Sequence, residues 1–244
     1  MRALIFAAGK GERMRPLTDR TPKPLLCAGG KPLIVWHLEK LAALGIRDVV
    51  INTAWLAEQF PAMLGDGSRW GLRLHYSYEG AEPLETGGGM LHALPLLHDG
   101  AGDEPFLAIN GDIWTDFDLA LLPREPTGLA HLLLVDNPPQ HPGGDFGLDT
   151  QGRIHPYPDS PSLGALRALT FAGIGVYRPA LLASWRAVIG DKPGADETPP
   201  RFGLAPLLRA AMTRDQATAD FWHGAWTDVG TPQRLAQIDA EQRS

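Results

Sequence analysis

The chain has 244 residues, of which 44% are hydrophobic, enough to bury the core of one large α/β domain or two small ones. A net charge of −6 at pH 7 and a pI near 5.7 argue against a nucleic-acid partner and against attachment to an acidic membrane surface. The single Cys27 excludes an internal disulfide and a multi-cysteine zinc site, and it suits a reducing cytoplasm.

The first predicted element is a strand over Arg2–Ala7, a continuous apolar run that ends at a glycine, as is typical of a strand buried on both faces. The apolar stretch is too short for a signal peptide or a membrane span, so we expect a soluble, unprocessed cytoplasmic protein with no membrane partner. A helix follows, with Leu33, Leu38, Leu41 and Leu44 on its apolar face.

Strands and helices then alternate through the first half of the chain. The predicted elements are a strand over Asp48–Asn52, a helix near Trp55–Leu64, a strand over Leu72–Ser77, a short helix over Gly88–Leu94 and a strand over Phe106–Asn110. This alternation predicts right-handed crossovers and a layered sheet with helices on both faces. Ligands are expected at the carboxyl ends of the strands, where Asp112 lies.

The second half is less regular and has no internal repeat. We predict strands over Ala130–Val135, Leu169–Tyr177 and Ala217–Trp222, helices over Pro179–Val188 and Leu204–Met212, and Pro- and Gly-rich loops over Asn137–Gly147 and Gly190–Gly203. Because strand and helix signals resume directly after each loop, residues 1–244 are expected to form a single domain.

The most informative segment, Ala7–Thr18, follows the first strand and is itself followed by Thr21-Pro-Lys-Pro24. Gly9 and Gly11 allow the backbone to approach phosphate oxygens closely and to direct amide hydrogens at them. Arg13 can bind two oxygens through its planar guanidinium group. The segment therefore predicts a site for a polyphosphate.

Two familiar phosphate motifs do not fit this loop. A Walker loop requires Ser or Thr after its lysine, and Lys10 is followed by glycine. The dinucleotide fingerprint requires a third glycine where the chain has Met14. A hydride-transfer enzyme is therefore disfavoured.

The segment resembles the signature of the sugar-phosphate nucleotidylyltransferase family, Gly-x-Gly-x-Arg-x-x-Pro-Leu-Thr followed by Pro-Lys-Pro, with every fixed position present. The resemblance implies a three-layer Rossmann-like nucleotidyltransferase fold with a mostly parallel mixed sheet, in which residues 1–112 bind nucleotide and residues 113–244 bind sugar. It implies that the triphosphate is bound by the loop residues Ala8, Gly9, Gly11, Glu12 and Arg13, with Arg13 also catalytic.

Lys23 is implied by the resemblance to be a catalytic and nucleotide-binding cation between the attacked phosphorus and the sugar phosphate. Its neighbours Pro22 and Pro24 restrict the backbone and hence the direction of the ammonium group. Without the upstream motif, a Pro-Lys-Pro triplet would be more typical of a rigid surface loop.

Asp112, after an apolar strand, and Asp228, before a glycine, resemble the catalytic, metal-binding aspartates of the family. Magnesium prefers oxygen ligands and usually takes only one or two carboxylates, so two aspartates suffice for a Mg²⁺ cofactor. Each aspartate alone could equally be a helix cap or a turn residue.

The run Leu84–Gly89 resembles the segment that passes the nucleobase in this family, which implies that Gly87 and Gly88 bind nucleotide, together with Asn110 at the end of its strand. Taken alone, the run is a glycine-rich helix start.

Asp145, Gly147, Thr170 and Gly173 fall where the family places its sugar site. Many members carry a Glu-Lys pair beyond the Phe-Gly step, where this chain has Ile154–Tyr157, so those two roles cannot be assigned.

The chain ends soon after Thr231 without the hexapeptide repeats that some family members carry, so no second enzymatic domain is expected. Four features resemble the uridylyltransferases of the family that join UTP to N-acetylmuramic acid 1-phosphate in cell-wall recycling. They are the short length, the Lys10-Gly-Glu-Arg-Met form of the loop, the Leu84–Gly89 run and the missing Glu-Lys pair. The alternatives are a glucose 1-phosphate thymidylyl- or uridylyltransferase and a mannose 1-phosphate guanylyltransferase. A non-catalytic nucleotide-sugar sensor is a hypothesis from another class, and no obligatory protein partner is evident.

Overall fold

The computed structural model describes residues 1–98, 102–157 and 166–243. Its strands are β1 (Ala3–Phe6), β2 (Cys27–Ala28), β3 (Lys31–Pro32), β4 (Asp48–Thr53), β5 (Arg73–Tyr78), β6 (Phe106–Asn110), β7 (Ile113–Thr115), β8 (Ala130–Val135), β9 (Phe146–Leu148), β10 (Ile154–Pro156), β11 (Arg167–Tyr177), β12 (Ala217–Trp222) and β13 (Trp226–Asp228). Its helices are α1 (Leu33–Ala43), α2 (Gln59–Leu64), α3 (Glu85–Leu97), α4 (Ala180–Ala183), α5 (Trp185–Ile189), α6 (Ala205–Met212) and α7 (Pro232–Glu241).

The main sheet is mixed and has nine strands within the described residues. Strands β5, β4, β1 and β6 lie side by side and are parallel. Strand β11 then pairs antiparallel with β6, β8 and β9, and β12 adds to β8 in parallel. The sheet therefore runs without a break from the first half of the chain into the second.

Helices cover both faces of this sheet and give a three-layer α/β fold. Side chains alternate along each strand, so Leu4 of β1 contributes to the core under α3 and α6, whereas Ala3 and Ile5 contribute to the core under α1 and α2. The predicted α/β class, with helices on both faces of a mixed sheet, is confirmed.

A third, smaller core lies beneath the C-terminal helix α7. Leu235 and Ile238 of this helix pack with Trp114, Val229 and the fully buried Met14 of the predicted phosphate loop. Helix α7 was not predicted from the sequence, and this packing connects it to both the loop and β7. The two-stranded pairing of β7 with β13 brings Asp228 next to Ile113 and hence to Asp112.

Several predicted boundaries need correction. Helix α3 begins at Glu85, so the glycine run lies inside the helix and not before it. The helix predicted over Pro179–Val188 is two short helices interrupted at Ser184. The helix predicted near Trp55 begins only at Gln59. The short strands β7, β9, β10 and β13 were not predicted, because three residues are too few to show a strand pattern. No described helix is long and apolar enough to cross a membrane.

Candidate active site

The phosphate loop leaves β1 at the carboxyl end of the parallel strands, as predicted. Gly11 has a φ of +64°, and a Cβ there would lie 2.9 Å from the methyl carbon of Thr18. Both the backbone conformation and the lack of space therefore favour glycine at this position. The hydroxyl of Thr18 donates to the carbonyl of Gly11 (2.8 Å), and the amide of Met14 donates to the same oxygen (2.8 Å). The loop is thus held by its own hydrogen bonds.

A buried series of hydrogen bonds holds the start of the phosphate loop in place. The amide of Ala7 donates to Oδ1 of Asn52 (2.6 Å), whose Nδ2 donates to Oε1 of Glu79 (2.6 Å). Oε2 of Glu79 accepts from the amide of Leu84 (2.8 Å). Gly89 leaves room for this carboxylate, because a Cβ there would lie 2.3 Å from Oε1. Burial raises the pKa of Glu79 above its ordinary value, and the hydrogen bonds from Leu84 and Asn52 oppose that shift.

Lys23 and Asp112, both predicted as site residues, are brought together in the folded chain. The Lys23 ammonium lies 2.5 Å from Oδ2 of Asp112. The lysine is buried and begins a short 3₁₀ turn, in which Pro22 and Pro24 on either side restrict its backbone. At this distance the two side chains form a charge-assisted hydrogen bond.

Asp228 lies on β13 beside the first aspartate. The amide of Val229 donates to the carbonyl of Asp112 (2.9 Å), which ties the two carboxylate-bearing segments together. The Asp228 carboxylate accepts from Nε2 of Gln140 (2.7 Å) and forms an ion pair with Arg234. Sequence reasoning did not find Gln140 or Arg234, because their proximity to Asp228 exists only in the folded chain.

Two cavities meet at these residues. The first, of about 550 Å³, is lined by the phosphate loop, Lys23, Asn52, Glu79, Glu85 and Thr86. The second, of about 350 Å³, is lined by Gln140, His141, Asp145, Thr170, Gly173 and Asp228. Arg13, Asn110 and Asp112 line both cavities, so they form the wall that the two share. Of the predicted nucleotide-site residues, Ala8, Gly9, Gly11, Glu12, Arg13, Lys23 and Asn110 line the first cavity.

The part of the second cavity that lies away from the shared wall includes the segment before β9 and a bulge in β11. Oδ2 of Asp145 accepts from the amide of Phe171 (2.9 Å), and the hydroxyl of Thr170 donates to Oδ1 of Asn137 (2.9 Å). Gly173 has a φ of +76° and approaches Asn110 so closely that a Cβ would lie 2.7 Å from its Nδ2. These contacts hold Asp145, Thr170 and Gly173 at the second cavity, which they line; their role in sugar binding stays a prediction.

Gly87 and Gly88 do not line either cavity. Both amides donate to the carbonyl of Phe202 (2.9 Å each), and a Cβ on Gly88 would lie 2.4 Å from the carbonyl oxygen of Pro200. The glycines therefore allow α3 to pack against residues 200–203. In this structure Glu85 and Thr86 present the cavity-facing side of the same segment.

Gly147 is also outside the second cavity. It lies on β9, where a Cβ would lie 2.9 Å from a methyl carbon of Leu166. In the segment where many family members carry the Glu-Lys pair, His155 lies 2.9 Å from Oδ2 of Asp149 and is buried. The segment thus takes part in the packing of β9 and β10, and His155 does not line the second cavity.

The donor set at Asp112 and Asp228 fits a magnesium ion. Each carboxylate has one oxygen that accepts no hydrogen bond from the described part of the chain, Oδ1 of Asp112 and Oδ2 of Asp228. Magnesium commonly binds proteins through one or two carboxylates and completes its coordination with water and phosphate. In the described residues no group of three or more His, Cys, Asp and Glu is placed to hold a metal ion, so a two-carboxylate site is the one to consider.

This geometry defines a class of protein: a three-layer α/β protein with a glycine-rich phosphate loop, a lysine-carboxylate pair and two cavities that share one wall. The family model for nucleotidyl transferases matches residues 2–244. The chain therefore belongs to the nucleotidyl transferase family and is an enzyme of that family.

Individual relatives agree with this assignment. The chain is 45% identical to an N-acetylmuramate alpha-1-phosphate uridylyltransferase from Neisseria meningitidis, over 98% of this chain and 97% of the relative. It is 31% identical to a Caulobacter vibrioides protein of the same name, over 99% and 96% of the two chains. A Bacillus anthracis crystal structure, assigned as a glucose-1-phosphate thymidylyltransferase, matches with a TM-score of 0.76 at 24% identity and covers 100% of this chain and 96% of that one. This last likeness confirms the predicted nucleotidyltransferase fold.

Proposed function

We propose that this enzyme transfers UMP from UTP to N-acetylmuramic acid 1-phosphate, with release of pyrophosphate. The names of the two relatives, which match the chain over almost its full length, support this choice of substrates. The observation that carries the proposal is the shared wall of Arg13, Asn110 and Asp112 between the two cavities. Two substrates seated in adjoining cavities would place their phosphates against this wall.

In the proposed reaction an oxygen of the sugar phosphate attacks the α-phosphorus of UTP. One P–O bond forms and the bond from the α-phosphorus to the bridging oxygen of pyrophosphate breaks, so the leaving group takes the electron pair. The attacking phosphate is already an anion at neutral pH, so no general base is required. The enzyme must mainly orient two anions and offset their repulsion.

Each proposed role belongs to a residue that lines one or both of the cavities. The buried Lys23 ammonium would offset charge on the α-phosphate, and Arg13 with the loop amides would stabilise the departing pyrophosphate. Asp112 and Asp228 would hold the magnesium ion, which when bound would offset the negative charge of the substrate phosphates. Asp145, Thr170 and Gly173 would contact the sugar in the second cavity.

The cellular setting is part of the same proposal. N-Acetylmuramic acid is a building block of the bacterial cell wall, so its 1-phosphate would come from recycled wall material in the cytoplasm, where UTP is available. The single cysteine suits a reducing cytoplasm, and the low isoelectric point argues against a nucleic-acid or acidic membrane partner.

The experiment that tests the proposal is a grid of nucleoside triphosphates against sugar 1-phosphates, with magnesium, scored by pyrophosphate release. We expect the highest kcat/KM for UTP with N-acetylmuramic acid 1-phosphate. Activity confined to glucose 1-phosphate or to GTP with mannose 1-phosphate would replace the proposed substrates by one of the alternatives. Binding of UTP without pyrophosphate release from any pair would indicate a sensor, and binding of NAD would revive an oxidoreductase.

A further inference from the structure

Two donors from separate elements converge on one oxygen of Asp228. Gln140, from the segment before β9, donates through Nε2 to Oδ1 (2.7 Å). Arg234, in the first turn of α7, donates through Nη1 to the same Oδ1. The other oxygen, Oδ2, accepts no hydrogen bond within the described ranges.

Arg234 is itself held in place. The hydroxyl of Thr231 caps α7 by accepting from the amide of Arg234 (3.3 Å). The Arg234 side chain is only 17% exposed and lies beside Gly230, where a Cβ would come within 2.6 Å of Nη2. The glycine thus leaves space for the guanidinium group, and the helix cap fixes the point from which the side chain extends.

The free oxygen of Asp228 lies at the border between the two cavities. A Cβ on Gly230 would lie 3.0 Å from Oδ2 of Asp228, and Gly230 lines the first cavity while Asp228 lines the second. Oδ1 is therefore occupied by its hydrogen bonds to Gln140 and Arg234, and only Oδ2 is available to a ligand at this border.

We infer that Arg234 is a positioning residue that fixes Oδ1 of Asp228, so that Oδ2 alone is presented to the metal ion. This inference rests on the proposed role of Asp228 as a metal ligand. Groups that orient a metal-binding carboxylate commonly contribute a factor of about 10 to 100 in metal affinity or activity. Arg234 also compensates the charge of Asp228, as Lys23 does for Asp112.

A competing possibility predicts the opposite change in metal affinity when Arg234 is removed. A cation beside a carboxylate repels a metal ion by Coulomb's law, so an arginine with no orienting role would weaken metal binding. Removal of Arg234 would then tighten it. The direction of the change in metal affinity therefore decides between the two.

The test compares R234M, R234K, D228N and the double variant R234M/D228N with the native enzyme. Arg243 provides a matched control, because it lies just beyond the same helix and forms an exposed ion pair with Asp239 (3.0 Å). Mn²⁺ binding is measured by electron paramagnetic resonance in the presence of α,β-methylene-UTP, and kcat and both KM values are measured with Mg²⁺. Thermal unfolding reports whether each variant is folded.

We expect R234M to weaken Mn²⁺ binding about tenfold or more and to lower kcat by a similar factor, with R243M unchanged. R234K keeps the charge but not the planar fork and should give a smaller loss. In the D228N background, R234M should cost nothing further, because the group on which it acts is gone.

Several results would overturn the inference. Native or tighter Mn²⁺ binding by folded R234M would do so, and so would an additive loss in the double variant, which would indicate a general structural role. If R234M is unfolded, R234K carries the same test, and native metal affinity in R234K contradicts the inference. Unchanged Mn²⁺ binding in D228N would show that Asp228 is not a metal ligand, which contradicts the proposed metal site itself. Loss of Mn²⁺ binding in D228N with native binding in R234M would leave that site in place and contradict only the role of Arg234.

Discussion

Lys23 and Asp112 are 89 positions apart in the sequence, yet the ammonium and the carboxylate are 2.5 Å apart in the folded chain. The lysine is buried, whereas the Asp112 side chain remains 37% exposed at the wall that the two cavities share. This asymmetry leaves the aspartate accessible to a ligand while its counter-ion is held in the protein.

Removal of the charge of Asp112 should abolish most turnover without unfolding the chain. We expect D112N to lower kcat about a hundredfold or more, as for other single electrostatic groups in active sites. The control D220N removes an exposed carboxylate on β12 and should retain full activity. Native turnover by folded D112N, measured by pyrophosphate release, would exclude Asp112 from the mechanism.

Loss of the Asn52 side chain should loosen the start of the phosphate loop. N52A leaves the amide of Ala7 and one oxygen of the buried Glu79 without their partner, at a cost of about 1–3 kcal/mol in the free energy of unfolding. We also expect a higher KM for UTP, because the loop amides lose their fixed position. Urea unfolding and steady-state kinetics measure the two effects, and a native KM in N52A would show that the loop does not depend on this contact.

The pair formed by Lys10 and Glu82 connects the phosphate loop to the segment before α3. Lys10 lies 2.7 and 2.8 Å from the two carboxylate oxygens of Glu82, which is 73% exposed. A bound triphosphate would have to compete with Glu82 for this cation, so E82Q should lower the KM for UTP a few-fold and leave kcat unchanged.

Substitution of Lys10 should have the opposite effect. We expect K10M to raise the KM for UTP, since a cation that lines the first cavity is lost. E39Q, which removes the partner of Lys31 on another surface, serves as the control. A rise in KM for E82Q would mean that Glu82 assists nucleotide binding.

A substitution at Gly173 tests whether the close contact between β11 and the Asn110 side chain is required for activity. G173A combines a left-handed backbone with a Cβ 2.7 Å from the Asn110 amide nitrogen. We expect a large loss of kcat/KM for the sugar phosphate together with lower thermal stability. G190A is a matched control, because Gly190 also has a positive φ, +59°, but open space around its Cβ position. Equal effects of both changes on activity would attribute the loss to backbone strain alone.

Asp48, at the end of β4 remote from the cavities, predicts a pH dependence of stability. The hydrogen bond from Arg73 is the main cause that lowers the pKa of Asp48 to about 2, while partial burial opposes the shift and His75 assists. A carboxyl group whose pKa is depressed by folding stabilises the protein above its unfolded pKa, near 3.9, and loses this contribution as the pH falls towards 2.

D48N should therefore lower the free energy of unfolding by about 1 kcal/mol at pH 7, a value reduced for the solvent exposure of Arg73. The difference from the native protein should shrink as the pH is lowered from 4 towards 2. Urea unfolding at several pH values measures this trend. A constant difference over that range would contradict the assignment of the stabilisation to ionised Asp48.

Long, strongly patterned elements were predictable from the sequence. Strands β6, β8 and β12 have the predicted bounds. Mainly apolar runs in β6 and β8, and the alternation of apolar and polar residues in β12, leave few alternatives. The three-residue strands could not be predicted from the sequence, since a segment such as Trp226–Asp228 forms a strand only because β7 lies opposite it. Gly87 and Gly88 illustrate the same limit, because their close contacts are with Pro200 and Phe202, far along the chain.

The sequence by itself determined the family, and it predicted the phosphate loop and the site residues Lys23, Asp112 and Asp228. These depend on local motifs in which the residue types at fixed positions are set by the chemistry. Only the tertiary structure decided which groups surround them. The chain from Ala7 through Asn52 to Glu79 and the convergence of Gln140 and Arg234 on Asp228 join residues distant in the sequence. No local pattern encodes such contacts, because they arise only when the sheet and α7 bring separate segments together.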